Sequence, residues 1–482
     1  MKRLDEKTFQ KVELPQISKH SVSVEEYGAK SGIHARNTKE FNEAIENVSR
    51  KGGGKVIIPE GIWYTGPIQL RSHVELHLKR GAYVVFQYNK EEYPLIKTNY
   101  EGNDRIRATS PIYAYDEEDI AITGDGIIDG QGELWRPVKK MKLTESQWNK
   151  LTQTGVTEGG MWYPSQSSYD GMHHQDIKPD EENALERAEN YYDFYRPVMV
   201  SLIRCRRVLI DGVTLMNSPA WNLHPLFCEH VTINKVTIRN PWFASNGDGL
   251  DLESCRYVNI FDTTFDVGDD AICLKAGKNG AARKIQFPTE YVTIKGCTVY
   301  HGHGGFVVGS EMSRGVRNVV VENCTFIGTD IGIRFKSTLG RGGVVENIRL
   351  SNIRMTNIVK EAILFSMRYS GAMDSSRVKQ DDIPEFKNIE LDNITCDGAA
   401  AAFSVYGLEQ LPIHDITIRD SVLRANSGVR HEYAETICFN NVSISVGAGE
   451  GEASYYNNVD ITKEMMKESL VCVKKHLGNM ED

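Results

Sequence analysis

The chain has 482 residues, 40% hydrophobic and 25% charged, the balance of a globular protein that buries a sizeable core. Its formal net charge of −9 argues against a nucleic-acid partner, although a cleft with its own local field can still hold an acidic ligand. No window approaches the ~18 consecutive apolar residues of a membrane span, so no membrane partner is expected.

The opening segment, "MKRLDEKTFQKVELPQ", is charged and lacks the apolar stretch of a signal peptide, so a cytoplasmic location is expected. "NTKEFNEAIENVSRKGGG" predicts a capping helix. Asn37 stands at its N-cap with Glu40 three residues on, Phe41, Ala44, Ile45 and Val48 form an apolar stripe, and the glycines stop it. Next come strand pairs in "HVELHLKRGAYVVF" and "DIAITGDGIIDG". The rhythm breaks between about Gly130 and Tyr195, a stretch rich in Trp, Tyr, charge and helix formers. Disordered segments are poor in aromatics, so this reads as an ordered excursion covering part of one face.

From "RVLIDGVTLMNS" onward a β-rich unit keeps returning, as in "HVTINKVTIRNP", "YVNIFDTTFDVG", "YVTIKGCTVYHG" and "NVVVENCTFIGT", and on to "TICFNNVSISVG". Successive copies start about 21 to 41 residues apart, most often near 27, the size of one solenoid coil. Each copy alternates apolar and polar residues and turns at Asn, Asp or Gly. No helix-length segment separates the copies, which excludes a βαβ architecture. The expectation is an all-β, right-handed parallel β-helix in one domain over residues 1–455. A C-terminal helical tail over 456–482 is read from "DITKEMMKESLVCVKKHLG". The nine cysteines lie mostly in strand segments, such as Cys255, Cys297, Cys324 and Cys438, and read as buried thiols rather than a disulfide framework. No CxxC pair suggests zinc, the doublet His173-His174 reads as non-ligating, and no metal or cofactor is expected.

The chemistry is concentrated in "SNGDGLDLESCRYVNIFDTTFDVGDDAICLK" and the two coils after it. Residues one coil apart at the same turn position lie ~4.8 Å apart in space. Asp248 and the pair Asp269-Asp270 are therefore expected as neighbours, followed by His301 and His303, and then by Arg334 and Lys336. Asp262 and Asp266 read as turn residues, Asp251 as structural support, and His224 as a satisfied structural histidine. Crowded carboxylates push their pKa values apart, giving one acid and one base, and adjacent cations suit an anionic sugar. The residues thus indicate a glycosidase or a lyase acting on an acidic polysaccharide.

The motifs "NGD" (246–248), "GDD" (268–270), "GHG" (302–304) and "RFK" (334–336), in this order, resemble those of the polygalacturonase family, glycoside hydrolase family 28. "GHGGFVVGSEMSRGVRNV" and "DDAICLKAGKNG" look like its bacterial exo-acting branch. Two positions depart from the family pattern: Gly247 replaces Thr, which is expected to loosen the turn holding Asp248, and Phe335 replaces Ile. The resemblance implies cleavage of α-1,4-galacturonosidic bonds with inversion. Asp269 would be the general acid, Asp248 and Asp270 would activate water, and His303 would tune the acid or orient substrate. Arg334 and Lys336, with Asn246 beside them, would bind the substrate. Inversion carries an expected carboxyl separation of roughly 6.5–9.5 Å. The alternatives are another acidic pectin backbone such as rhamnogalacturonan, a pectate lyase, and a non-catalytic carbohydrate-binding solenoid.

Overall fold

Alternation along each strand, repeated coil after coil, builds the molecule. One row of register partners reads Val208, Val231, Val258, Val292, Val319, Ile348, Ile389, Ile416, Ile437. All of these residues are buried in one continuous apolar column. Each such side chain contributes ~1.5–3 kcal/mol by leaving water, and none could do so without the coils above and below. A computed structural model describes residues 4, 5, 7, 9–174, 177–285, 287–447 and 453–462. In it the coils form a parallel β-helix, as expected. One wall is an 11-stranded parallel sheet running from Ile68–Gln69 to Ser427–Glu432. Its strands Leu250–Glu253, Asp270–Lys275, Gly304–Val308 and Ile333–Lys336 carry the candidate site.

The turns explain the recurring Asn and Asp. Asn323, Asn352 and Asn393 adopt left-handed φ values of 57°, 55° and 52°, which Asn tolerates better than most residues. Their side-chain amides bond up the stack at 3.0 and 2.7 Å. Asp262 occupies the same kind of position at φ 48°, the turn role expected of it.

Helix Thr38–Arg50 covers the N-terminal end and buries Phe41, Ala44, Ile45 and Val48. Its start differs from expectation, because Asn37 makes no side-chain cap. Its Oδ1 instead accepts from the Lys30 amide at 2.7 Å, and its Nδ2 donates to the carbonyls of Lys30 and Tyr64, each at 3.0 Å. A buried amide gains more by tying down the incoming loop than by capping a helix end that water reaches. At the other end, Ala453–Tyr456 and Val459–Asp460 pair antiparallel onto Ala434–Val446. The helical tail expected over 456–482 is thus corrected at its start, where Tyr456 and Val459–Asp460 are strand because they find backbone partners on the last coil, and its remainder, 463–482, lies outside the described residues.

The aromatic excursion is ordered. It contains helices Glu145–Leu151 and Gln166–His173 and a small antiparallel sheet of Val138–Lys139, Val156–Glu158 and Met161–Tyr163. Trp135, Tyr192 and Tyr195 pack with Tyr93 and Ile106 of a hairpin, Leu95–Tyr100 with Asn103–Ala108, that the coil rhythm did not reveal. Seven cysteines, at 205, 228, 255, 273, 297, 324 and 396, are buried and form no disulfide. Among the described residues no helix is long and apolar enough to cross a membrane.

Candidate active site

Register explains why four distant sequence segments meet. Leu250 pairs with Ile272, Asp270 with Gly304 and Val307 with Arg334. Asp248 and Asp270 therefore stand on successive coils, and Arg334 and Lys336 two coils beyond Asp270. Ala271 and Ile272 both enter the core, so the alternation slips by one residue and leaves Asp270 facing outward. Gly304, the register partner of Asp270, has no side chain to block the way. A Cβ there would stand 3.5 Å from Asp270 Oδ1 and 3.6 Å from Arg334 Cδ. Lys336 Nζ reaches across this gap to Asp270 Oδ2 at 2.5 Å, and Arg334 Nη1 approaches Oδ1 at 3.5 Å.

Asp248, Asp269 and Asp270 each present an oxygen within 4.8 Å of the others. This is closer than the 6.5–9.5 Å expected, because Asp248 and Asp270 are one coil rise apart and Asp269 is adjacent in sequence. Their charges differ. Burial, reinforced by Asp251 and Asp269, pushes the Asp248 carboxyl well above the ordinary range, and its Oδ1 has no hydrogen-bond partner. Burial would also raise Asp270, but Lys336, Arg334 and Lys275 outweigh it and hold that group below the usual carboxylate range. Only Asp269 of the three is not fully buried, its side chain being 23% exposed. Its Oδ1 meets His303 Nδ1 at 2.9 Å and accepts from the Asp270 amide at 3.0 Å. Lys142 of the excursion stands 3.5 Å from His303 Nε2. An ammonium can only donate, so this contact places the imidazole proton on Nδ1, directed at Asp269.

A second buried network lies beneath. Lys275 Nζ is 3.1 Å from Glu311 Oε2 and 3.4 Å from Asp251 Oδ1. One ammonium serves two acids: Glu311 is held down to about 2, whereas burial pushes Asp251 up to about 8. His224 Nε2 lies 3.0 Å from Glu253 Oε2, both fully buried, the structural pairing expected. His301 turns away to Asp266, its Nδ1 3.0 Å from Oδ1, and stays outside the cluster. Asn246, at φ 54°, accepts from Arg196 Nη2 at 2.9 Å. Arg196 follows directly after the excursion, and no motif in the sequence marks it.

The two departures from the family pattern have local causes. A Cβ on Gly247 would stand 2.6 Å from Ala244 Cβ, so the turn is tightly packed rather than loosened. Phe335 points into the core and stacks on Phe365 with centroids 4.5 Å apart. Among the described residues two clusters have the donors for a metal ion: the three aspartates, and His73 with Glu118 and Asp119. In the second, Arg207 already bonds both Asp119 oxygens, at 2.6 and 2.7 Å.

Known proteins share this fold and sequence pattern. The exopolygalacturonase of Thermotoga maritima superimposes with a TM-score of 0.78 at 32% identity, covering 92% of this chain and 96% of that one. The family 28 exopolygalacturonase of Yersinia enterocolitica gives a TM-score of 0.74 at 24% identity over 92% of this chain and 79% of that one, a likeness of fold. In sequence, the exo-poly-alpha-D-galacturonosidase of Dickeya chrysanthemi is 28% identical over 388 residues, 78% of this chain and 62% of its own length. The family model for glycosyl hydrolases family 28 matches residues 188–443, more than half the chain and all of the acid-bearing coils. With its parallel coils, three gathered aspartates and paired cations, the chain belongs to glycosyl hydrolases family 28 and is a glycosidase.

Proposed function

We propose that the enzyme is an exo-acting galacturonidase that removes galacturonic acid from the non-reducing end of pectin-derived α-1,4-galacturonides, with inversion. The observation that carries this reading is that Asp248 and Asp270, on neighbouring coils, are driven in opposite directions. Asp270, held ionised by Lys336 and Arg334, accepts a proton from the attacking water. Asp248 shares that water and keeps its own proton in the free enzyme, so the pair carries one charge rather than two. Asp269, reachable from solvent and with both donors on Oδ1, has Oδ2 available to protonate the glycosidic oxygen. Arg334 and Lys336 serve the uronate carboxylate next to the scissile bond.

Inversion places the attacking water between Asp269 and the Asp248–Asp270 pair, on the face of the sugar opposite the acid. Proton NMR of the first product tests this, and an initial product with the substrate's own anomeric configuration refutes it. The exo reading draws support from the excursion and the hairpin, whose residues line a cavity together with Asn246. On long homogalacturonan, monomer should dominate from the earliest times, and early mixed oligomers would sink the exo mode. Monomer release from tri-galacturonate, compared with turnover of rhamnogalacturonan fragments, tests the backbone. The seven buried thiols support a reducing compartment.

A further inference from the structure

Beside the acids, on the side of the earlier coils, lies a cavity of about 340 Å³. Its walls come from the hairpin, the excursion and the catalytic loop, and include Tyr100, Arg107, His174, Arg196 and Asn246. It lies close to the acid cluster: Asn246 is two residues from Asp248, and Tyr100 and Arg196 lie near enough to feel the Asp248 charge.

The two guanidiniums differ in what holds them. Arg196 is committed: it donates to the carbonyls of Pro219 and Ser245 at 3.1 and 3.0 Å and to Asn246. Arg107, only 9% exposed, lies over the Tyr100 ring with its Cζ 3.8 Å from the centroid. Its Nε and Nη2 make no hydrogen bond, and His174 Nε2 on the facing wall makes none either. A buried guanidinium with idle donors is costly unless a partner arrives. Glu101 also lines the cavity and acts on the Arg107 charge, and it stands 3.9 Å from Lys278 Nζ. With Arg105, Arg107 and Arg196 on the walls and Glu101 as the acid among the lining residues, the cavity keeps a net positive lining that suits one sugar ring with one carboxylate.

We propose that this cavity holds the terminal uronate at the non-reducing end, and that Arg107 is the specificity residue whose guanidinium binds its carboxylate. Tyr100 positions the guanidinium, and Arg196 shapes the floor by fixing Asn246. The assignment rests on the exo reading above and adds a requirement to it. Endo enzymes need no end-carboxylate receptor, and a neutral terminal sugar should be rejected here.

The test uses the full chain and two trisaccharides: tri-galacturonate, and the same molecule with its non-reducing terminal carboxyl reduced to the alcohol. Wild type should turn over the reduced substrate roughly 10- to 100-fold less efficiently, mostly through KM, the range for losing a charge-assisted hydrogen-bond pair. Arg107→Lys and Arg107→Gln should lose a similar factor on tri-galacturonate while changing the reduced substrate less than about threefold. Equal wild-type efficiency on both substrates overturns the proposal even if neither variant folds. So does an equal loss on both substrates in a folded variant. Oligomers in place of monomer from wild type would overturn the exo reading and this pocket together. Monomer release without carboxylate discrimination overturns the pocket alone.

Discussion

Replacing Lys336 by Met isolates the charge pairing at the centre of the site. The side chains of Lys336 and Asp270 are 7% and 2% exposed and meet at 2.5 Å. Two unit charges at that distance attract by roughly 6–7 kcal/mol at an effective dielectric near 20. Desolvation cancels part of this, and removing one partner of a buried pair typically costs about 3–5 kcal/mol. Arg334 at 3.5 Å remains as a partial substitute, so a loss near 3 kcal/mol is expected at neutral pH. The pH dependence gives the diagnosis. Asp270 has a depressed pKa, so its stabilisation is present above the ordinary carboxylate value near 3.9 and disappears as pH falls through the folded value. Lys336 has a raised one, so its contribution is full below the ordinary lysine value near 10.4 and does not change over this range. In Lys336→Met the carboxylate takes up a proton instead. The gap in unfolding free energy should therefore be widest at pH 7 and narrow steadily toward pH 4. Urea unfolding of both proteins across that range measures it, with reversibility checked at each pH. Turnover should fall on the order of 100-fold or more, because the base is protonated. A stability gap independent of pH would mean that packing, not charge, was lost, and would refute the reasoning.

Asp269→Asn should lower kcat by roughly 10³-fold or more with an unchanged melting temperature, since the side chain is partly exposed and the amide keeps a carbonyl for His303. Gly304→Ala introduces a Cβ 2.4 Å from Val307 Cγ2 beside the Lys336–Asp270 gap. It should destabilise by about 1–3 kcal/mol and reduce kcat at least tenfold, both read from one preparation by melting and by reducing-sugar release. Asp251 has a raised pKa of about 8, so its favourable contribution is present at low pH and is lost as pH rises through that value. Asp251→Asn should accordingly match wild type in stability near pH 4, exceed it increasingly up to about pH 8 and level off above, and a constant difference in melting temperature would exclude a proton on Asp251. Lys142→Met removes the cation 3.5 Å from His303 Nε2 and should reduce kcat/KM several-fold without changing the melting temperature.

The site was legible in the sequence wherever it obeyed the coil period. Asp248, Asp269-Asp270, His303 and the Arg334–Lys336 pair come together because each lies on the next coils of one wall, and register turns sequence distance into contact. Inward alternation is equally local, so the core rows, the capping helix and the turn role of Asp262 could be read directly. His301 shows how fine the margin is: two residues from His303, it faces Asp266 instead. What the repeat does not encode had to come from the folded chain. Lys142 meets His303 across 161 residues, and Arg107 of the hairpin and Arg196 after the excursion line one cavity with Asn246. The protonation of the acids depends on tertiary structure in the same way. Asp248, Asp251 and Asp270 are the same residue type on two neighbouring coils, and only the through-space balance of burial against Lys275, Lys336 and Arg334 drives two up and one down. The sequence by itself determined the coils and which wall bears the acids, because both follow from short-range alternation and a constant period. Which acid keeps its proton, and what closes the cleft, only the tertiary structure decided, because burial and charge pairing are properties of space rather than of spacing.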